Sequence, residues 1–481
     1  MGPDHRQSVL PSDSTLADAS PADSPPPQRP CRTPLPPEIA LMGGPREKQS
    51  EMTARRLRLC LVALNAYPAV HPETGGQVGG TETRAWILAR HLAKIPDLEV
   101  SLAVRTTDPI TTTVVEGVYI VGLQDRFYRL RETVGGYASR RAGFPWIQIH
   151  RWSPDLLWQI PLLATARLLE PRPTDPRQPM SFFEQIDADL FCCFGNQATA
   201  ATAIASAHAT GRPAVLFIGS DDDLNPGYTA DSSVRNPYGD TGATCFYSLT
   251  QADAVLTQTS EQQQLLQNRF GRESTVIPNP IDLDEWDCRA RTPLPTELSM
   301  GADRFVLWMG RAEKIHKRPQ TLLEVARMCP SVPFVMLLNP RDPAVDAEIR
   351  QTAPPNVRII TQVPFPQMPA LFQRAIACIN TSALEGFPNA FLQAAASRVP
   401  IVSLEVASTF LRESQAGVFV GGDLPWAADT LTQWMNDAAL RQSYGDAGRA
   451  YVEKHHRAEH VAHELANQLR TVSLSHSPPP A

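Results

Sequence analysis

The stretch RFVLWM at residues 304–309, with the loop 310–319, the segment 320–329 and PFVMLL at 333–338, reads as strand, loop, helix, strand. The two apolar runs are short, continuous and bounded by loop residues, the pattern of strands covered on both faces. The same grammar continues through a strand at 357–360, a helix near 368–374, a strand at 377–380, a loop at 381–389, a helix at 390–398 and a strand at 400–404. Alternation of this kind predicts a parallel sheet with helices on both faces.

The first half repeats the pattern. LRLCLVAL at 57–64 reads as a buried strand, 65–80 as a glycine-rich loop, and 99–104 as a second strand. Between them, Ala85, Leu88, Ala89 and Leu92 recur at helical spacing over 81–94. The expectation is an α/β chain of two Rossmann-like domains facing a cleft. VIPNPI at 276–281 and the Pro- and Thr-rich stretch 291–299 look like a hinge, so the domains are read as 56–290 and 291–455. A final helix at 456–472 and tails at 1–55 and 473–481 complete the organisation.

Composition supports that partition. The chain has 481 residues, 42% hydrophobic and 20% charged, with 45 prolines against 27 glycines. Eleven of the prolines fall in residues 1–50 among Ser, Asp and Ala, and such a segment cannot bury enough apolar surface to offset its ordering entropy. A net charge of −6 argues against a general nucleic-acid binder, which needs clustered excess Lys and Arg. The eight cysteines form no C-x-x-C pair, and several sit in apolar runs as small hydrophobes, which favours a reducing compartment. No signal peptide or membrane-spanning run is visible. The expected location is the cytoplasm, at most peripheral on the inner face of a membrane.

One insertion stands out. Arg126, Arg129, Arg131, Arg140, Arg141 and Arg151 alternate with Phe127, Tyr128, Tyr137, Phe144, Trp146 and Trp152. The plain reading is a solvated arginine-rich face; the sharper one is a surface for an anionic or lipid-linked partner.

Ligands of open α/β sheets bind outside the carboxyl ends of the strands, so the loops there carry the chemistry. After RFVLWM come Gly310, Arg311, Lys317 and Arg318, two kinds of cation suited to a pyrophosphate. After the strand ending at Asn380 comes TSALEGFPN at 381–389: Gly386 permits a tight turn, and the next helix presents free N–H groups to an anion. Glu385 would repel a phosphate and fits better as an acceptor for sugar hydroxyls. Ser382 and Asn389 read equally as caps or as ligand contacts. Asp221, Asp222 and Asp223 match a D-x-D metal pattern, but a loop of capping and turn residues accounts for them, and no metal site is expected. His455, His456 and His460 read as an exposed helical face rather than a metal site.

Taken together, EGFPNAFLQ at 385–393, Gly310-Arg311 with Lys317-Arg318-Pro319, VIPNPID at 276–282 and Gly79-Gly80-Thr81 resemble family 4 of the retaining glycosyltransferases, the glycosyl transferases group 1, which have the GT-B fold. The resemblance spans roughly 57–468. It implies that Arg311 and Lys317 bind the donor diphosphate, and that Glu385, with Gly386, Phe387, Pro388 and Asn389, contacts donor sugar and phosphate. It further implies that Gly79 and Gly80 close over the reacting carbon, that a loop at 362–365 with Val363 and Phe365 lies against the nucleobase, and that the last helix crosses back to the first domain.

Two positions depart from the family. Gln393 replaces the carboxylate that usually holds the ribose hydroxyls, and an amide can still accept one hydrogen bond and donate another. Asn196 stands where many relatives carry histidine and cannot act as a general base. The implied activity is retaining, metal-independent transfer from a nucleoside-diphosphate sugar to a saccharide or lipid-linked acceptor, as in polysaccharide, glycolipid or glycoconjugate synthesis, with no cofactor and no nucleic-acid partner. A sugar-nucleotide epimerase on the same architecture and an inactive sugar-nucleotide-binding scaffold remain as alternatives.

Overall fold

The computed structural model describes residues 55–74, 79–107, 112–135, 137–140, 145–149, 151–169, 175–236, 238–294, 304–383 and 385–476. The proline-rich tail read at 1–55, apart from residue 55, lies outside them, as do loop residues 75–78, positions 295–299 of the hinge stretch with 300–303 after it, and the last five residues.

In chain order, the first ten strands are β1 (Leu57–Val62), β2 (Leu98–Thr106), β3 (Thr113–Val115), β4 (Val118–Gln124), β5 (Ala138–Arg140), β6 (Ile147–Ile149), β7 (Leu190–Phe194), β8 (Ala214–Phe217), β9 (Ala254–Thr257) and β10 (Thr275–Val276). Eight of them form one sheet in the order β10-β9-β8-β7-β1-β2-β4-β3, parallel except for the β3–β4 pair. The alternation of side chains along a strand explains why β1 is apolar at every buried position. Leu59 and Leu61 face one core while Cys60 and Val62 face the other.

The remaining strands, β11 (Phe305–Arg311), β12 (Phe334–Asn339), β13 (Val357–Ile360), β14 (Ala375–Asn380), β15 (Ile401–Ser403) and β16 (Gly417–Phe419), form a second, all-parallel sheet in the order β13-β12-β11-β14-β15-β16. Phe305 and Leu307 point into one core; Val306 and Trp308 point into the other. In both sheets the order reverses beside the first strand of the domain, which opens a crevice at the carboxyl ends.

The chain crosses between the domains twice, side by side. Ile281 N–H donates to the carbonyl of His456 at 2.8 Å, and Ala458 N–H donates to the carbonyl of Ile281 at 3.0 Å. Beyond this crossing the helix Ala458–His476 packs on the helix Gly80–Leu92, and Val461, Leu465 and Leu469 join the core of the first domain. It runs past residue 472, and 473–476 are helical rather than part of a tail.

The exposed-face reading of the three histidines is corrected for one of them. His456 is buried, its ring packed against Phe387, Phe410 and Tyr451, and its Nδ1–H donates to the carbonyl of Asn279 at 2.7 Å. A position one residue before the crossing cannot face solvent, because both strands of the crossing and the second core close over it. His455 and His460 are exposed.

Candidate active site

β11 and β14 are neighbours in the second sheet, so their carboxyl ends deliver Arg311 and Asn380 to the same edge. The loops that follow are tied together. Ala383 N–H donates to the carbonyl of His316 at 2.9 Å, Thr381 Oγ1 donates to the carbonyl of Lys317 at 2.7 Å, and Trp308 Nε1 donates to Thr381 Oγ1 at 2.8 Å. The indole of Trp308 also lies over Gly310, where a Cβ would fall 2.5 Å from the ring, so the strand end has no room for a side chain there.

These ties place Lys317 against Glu385. The ammonium forms an ion pair with Glu385 Oε1, which also accepts from Ser382 Oγ at 2.6 Å and from Asn380 Nδ2 at 3.3 Å. Three donors on one oxygen fix the carboxylate, and both partners remain partly exposed at the cleft. Arg318 is turned elsewhere: with φ of 47° it precedes Pro319 at the start of the helix Pro319–Met328, and it bonds the carbonyl of Thr381 and the carboxylate of Glu405. Arg311 ends β11 exposed.

Across the cleft, the glycines meet the second domain. A Cβ on Gly80 would collide with the side-chain amide of Asn389. On Gly386 it would fall 2.7 Å from Asp221 Oδ1, 2.8 Å from Gln262 Nε2 and 3.2 Å from the backbone nitrogen of Asp221. Gly79 is the cap residue of the helix Gly80–Leu92, and Asn389 opens the helix Asn389–Ala396. Two helix N-termini therefore meet at the cleft, where their free N–H groups favour negative charge.

The structure thus brings together Gly80, Lys317, Ser382, Glu385, Gly386 and Asn389. Phe387 turns inward onto Phe410 and His456, and Pro388 caps the helix behind it. Gln393 is half-buried one turn further along that helix. Val363 is buried in the second core, whereas Phe365, set against the edge of Trp286, is 38% exposed.

Asn196 is fully buried and donates through Nδ2 to the carbonyl of Asp223 at 2.9 Å, so it braces a loop and does not face the cleft. Asp223 caps that loop through Oδ2, which accepts from Gly219 N–H at 2.6 Å and Ser220 N–H at 3.3 Å; burial pushes its pKa up. Asp221 accepts from Gln262 Nε2 at 3.0 Å, and burial raises its pKa as well.

Four residues at the cleft were not singled out by sequence. Asn279 donates through Nδ2 to Asn389 Oδ1 at 3.0 Å and accepts from Arg84 Nη1 at 3.2 Å. Arg84 is buried under the ring of Phe217, bonds the carbonyl of Ile218, and has its pKa lowered to about 10 by that burial. Glu261 accepts from Thr409 N–H at 3.0 Å across the domains; burial pushes its carboxyl up, and hydrogen bonds from Thr409, from its own backbone and from Thr259 together outweigh it and hold the pKa low. Tyr238 is exposed, and its pKa is raised by desolvation and by the charges of Asp223 and Glu82. Only Asn279 had a signal, its place between two prolines in VIPNPI.

Residues 303–437 match the family model of the Glycosyl transferases group 1. No curated protein matches the sequence. Among solved structures, the chain is similar to sucrose-phosphate synthase from Thermosynechococcus elongatus, at 17% identity and a TM-score of 0.60 over 87% of this chain and all of that one. It is also similar to HepE of Anabaena, solved in complex with UDP and glucose, at 15% identity and a TM-score of 0.56 over 86% of this chain and all of that one. A third is trehalose 6-phosphate synthase from Burkholderia multivorans, at 15% identity and a TM-score of 0.55 over 88% of this chain and all of that one. At such identities these likenesses speak for the fold. The match to the Glycosyl transferases group 1 thus covers residues 303–437, and the chain as a whole has the GT-B fold.

Proposed function

We propose that the protein is a retaining, metal-independent glycosyltransferase of the family 4 type. It would move a sugar from a nucleoside-diphosphate donor to a hydroxyl acceptor in the synthesis of a polysaccharide, glycolipid or glycoconjugate. The observation that carries the proposal is the Lys317–Glu385 pair, set at the joined carboxyl ends of β11 and β14 in the loops that lead to the helix N-terminus at Asn389, which meets that at Gly80. The complex of HepE with UDP and glucose supports a donor of this chemical class.

The chemistry follows from charge. Breaking the bond from the anomeric carbon to the diphosphate leaves negative charge on the leaving group and oxocarbenium character on the sugar. Lys317, Arg311 and the two helix N-termini stabilise that leaving group by electrostatics already in place, so a metal is not required for the role. Glu385, oriented by Ser382 and Asn380, accepts from the sugar hydroxyls. The acceptor hydroxyl attacks from the face the diphosphate leaves, and that phosphate takes its proton, since Asn196 is buried and unable to serve as a base.

The test is transfer and donor binding with Lys317→Ala. Loss of turnover with weakened binding of one nucleoside diphosphate supports the reading; wild-type rates in the variant overturn it.

A further inference from the structure

The insertion between β4 and β7 holds an apolar surface outside the Lys317–Glu385 site. Among the described residues, seven of the seventeen large hydrophobic side chains that are exposed fall between 146 and 162. They include three of the eight tryptophans, Trp146 at 66%, Trp152 at 61% and Trp158 at 55%, together with Leu157 at 69%.

The helix Leu156–Leu169 explains how they come to be exposed. One stripe, Leu156, Ile160 and Leu163, packs on Val134, Ala138 and Tyr137 to form a small core of its own. A surface helix ordinarily turns polar residues outward on the opposite side. Here the outward positions are Leu157, Trp158, Pro161, Leu162, Ala164 and Thr165. Beside it, β5 and β6 make a two-stranded antiparallel hairpin whose residues Ile147, Gln148 and Ile149 are all exposed.

The charge around this surface selects the occupant. Residues 125–162 hold six arginines against Asp125, Glu132 and Asp155, a local excess of three positive charges in a chain of net charge −6, with Arg131 paired to Asp125. Arg126, Arg129 and Arg151 are exposed. Tryptophans with apolar bodies and arginines with long stems suit the boundary between acyl chains and anionic headgroups. Among the described residues no helix is long and apolar enough to cross a membrane, so any such contact lies in the plane of the surface. The insertion leaves the sheet at the carboxyl end of β4, the end that carries the cleft.

We propose that the face formed by the hairpin β5–β6 and the outer stripe of the helix Leu156–Leu169 seats in the surface of a bilayer bearing anionic lipids. The inference stands on this surface alone and does not depend on the reaction.

The experiment is co-sedimentation of the full chain with vesicles of equal parts phosphatidylglycerol and phosphatidylcholine, and with phosphatidylcholine alone, at low and high salt. The wild type is expected to bind the anionic vesicles about tenfold or more tightly than the zwitterionic ones, and less tightly in high salt. The double variant Trp152→Glu, Leu157→Glu should lose at least about tenfold in partition. Arg129→Gln with Arg151→Gln should lose the preference for anionic vesicles, while Trp426→Glu, at an exposed tryptophan on the second domain, should bind as wild type. Failure of the wild type to bind anionic vesicles overturns the proposal. So does a wild type that self-associates in light scattering while the double variant is monomeric, because the face then covers a second copy. Nucleotide binding, measured in parallel, reports separately on the cleft.

Discussion

The side chain of Asn279, on the first crossing between the domains, donates a hydrogen bond of 3.0 Å to Asn389, the first residue of the helix behind the glutamate loop. Its carbonyl accepts from His456 on the second crossing, and its Oδ1 accepts from Arg84 in the helix that begins at Gly80. One asparagine therefore ties both crossings, the first-domain helix and the second-domain loop into one geometry.

Replacing it should separate positioning from folding. Asn279→Ala removes two side-chain hydrogen bonds and leaves the Arg84 guanidinium and the Asn389 amide short of partners, at a cost of about 1–3 kcal/mol in stability. The expected result is a folded protein with a lowered Tm and kcat/KM reduced by about tenfold or more, because a small misplacement of reacting groups has large kinetic effects. Thermal melts and steady-state kinetics check both parts.

Gly386 sets how closely the domains approach. Gly386→Ala puts a methyl group against Asp221, including its backbone nitrogen, which cannot swing aside as a side chain can. Turnover should fall by about tenfold or more with little change in the Tm of either domain. Small-angle scattering should report a larger radius of gyration than for wild type.

Lys317 and Glu385 should fail differently. Lys317→Ala leaves Glu385 without its ion pair and, on the proposed reading, removes a cation that stabilises the leaving group, so turnover should drop by roughly a hundredfold or more and donor affinity should weaken too. On the same reading Glu385→Ala removes an acceptor for sugar hydroxyls, and turnover should fall further than affinity for the nucleotide alone. Paired measurements of kcat and nucleotide Kd distinguish the two patterns.

The buried His456 predicts an acid-sensitive fold. Burial lowers its pKa to about 4, so the folded state holds it neutral where an unfolded chain, with histidine near 6.5, takes up a proton. Stability from this group is complete above about pH 6.5 and is lost as pH falls toward 4, by up to roughly 3 kcal/mol. In His456→Gln, which does not titrate, the slope of stability against pH over that window should be smaller by one proton, as urea denaturation at several pH values would show.

Much of this was legible in the sequence, and the reason is periodicity. Continuous apolar strands alternating with helices place β1, β2 and β11 to β15 within a residue or two, because in a parallel sheet both faces are buried and the signal is local. That Lys317, Ser382, Glu385 and Gly386 come together at one sheet edge was legible because they lie in loops after adjacent strands. What could not be read depends on tertiary placement. His456 sits in a polar run and looks solvated, yet the crossing buries it. Arg84 falls within an ordinary helical pattern, and only the packing of Phe217 and Asn279 gives it a role. The apolar outer stripe of the helix Leu156–Leu169 is equally silent in sequence, since an all-apolar helix reads as buried until its neighbours are known.

The central claim, that the Lys317–Glu385 cleft holds a nucleoside-diphosphate sugar without a metal, is tested most directly by calorimetric titration. The full chain, Arg311→Ala and Lys317→Ala would each be titrated with UDP, GDP, ADP and their sugar conjugates in the presence of chelator. The account predicts that wild type binds one nucleotide with chelator present and that both substitutions weaken or abolish that binding. Binding that needs a divalent metal, or that survives both substitutions unchanged, would contradict it.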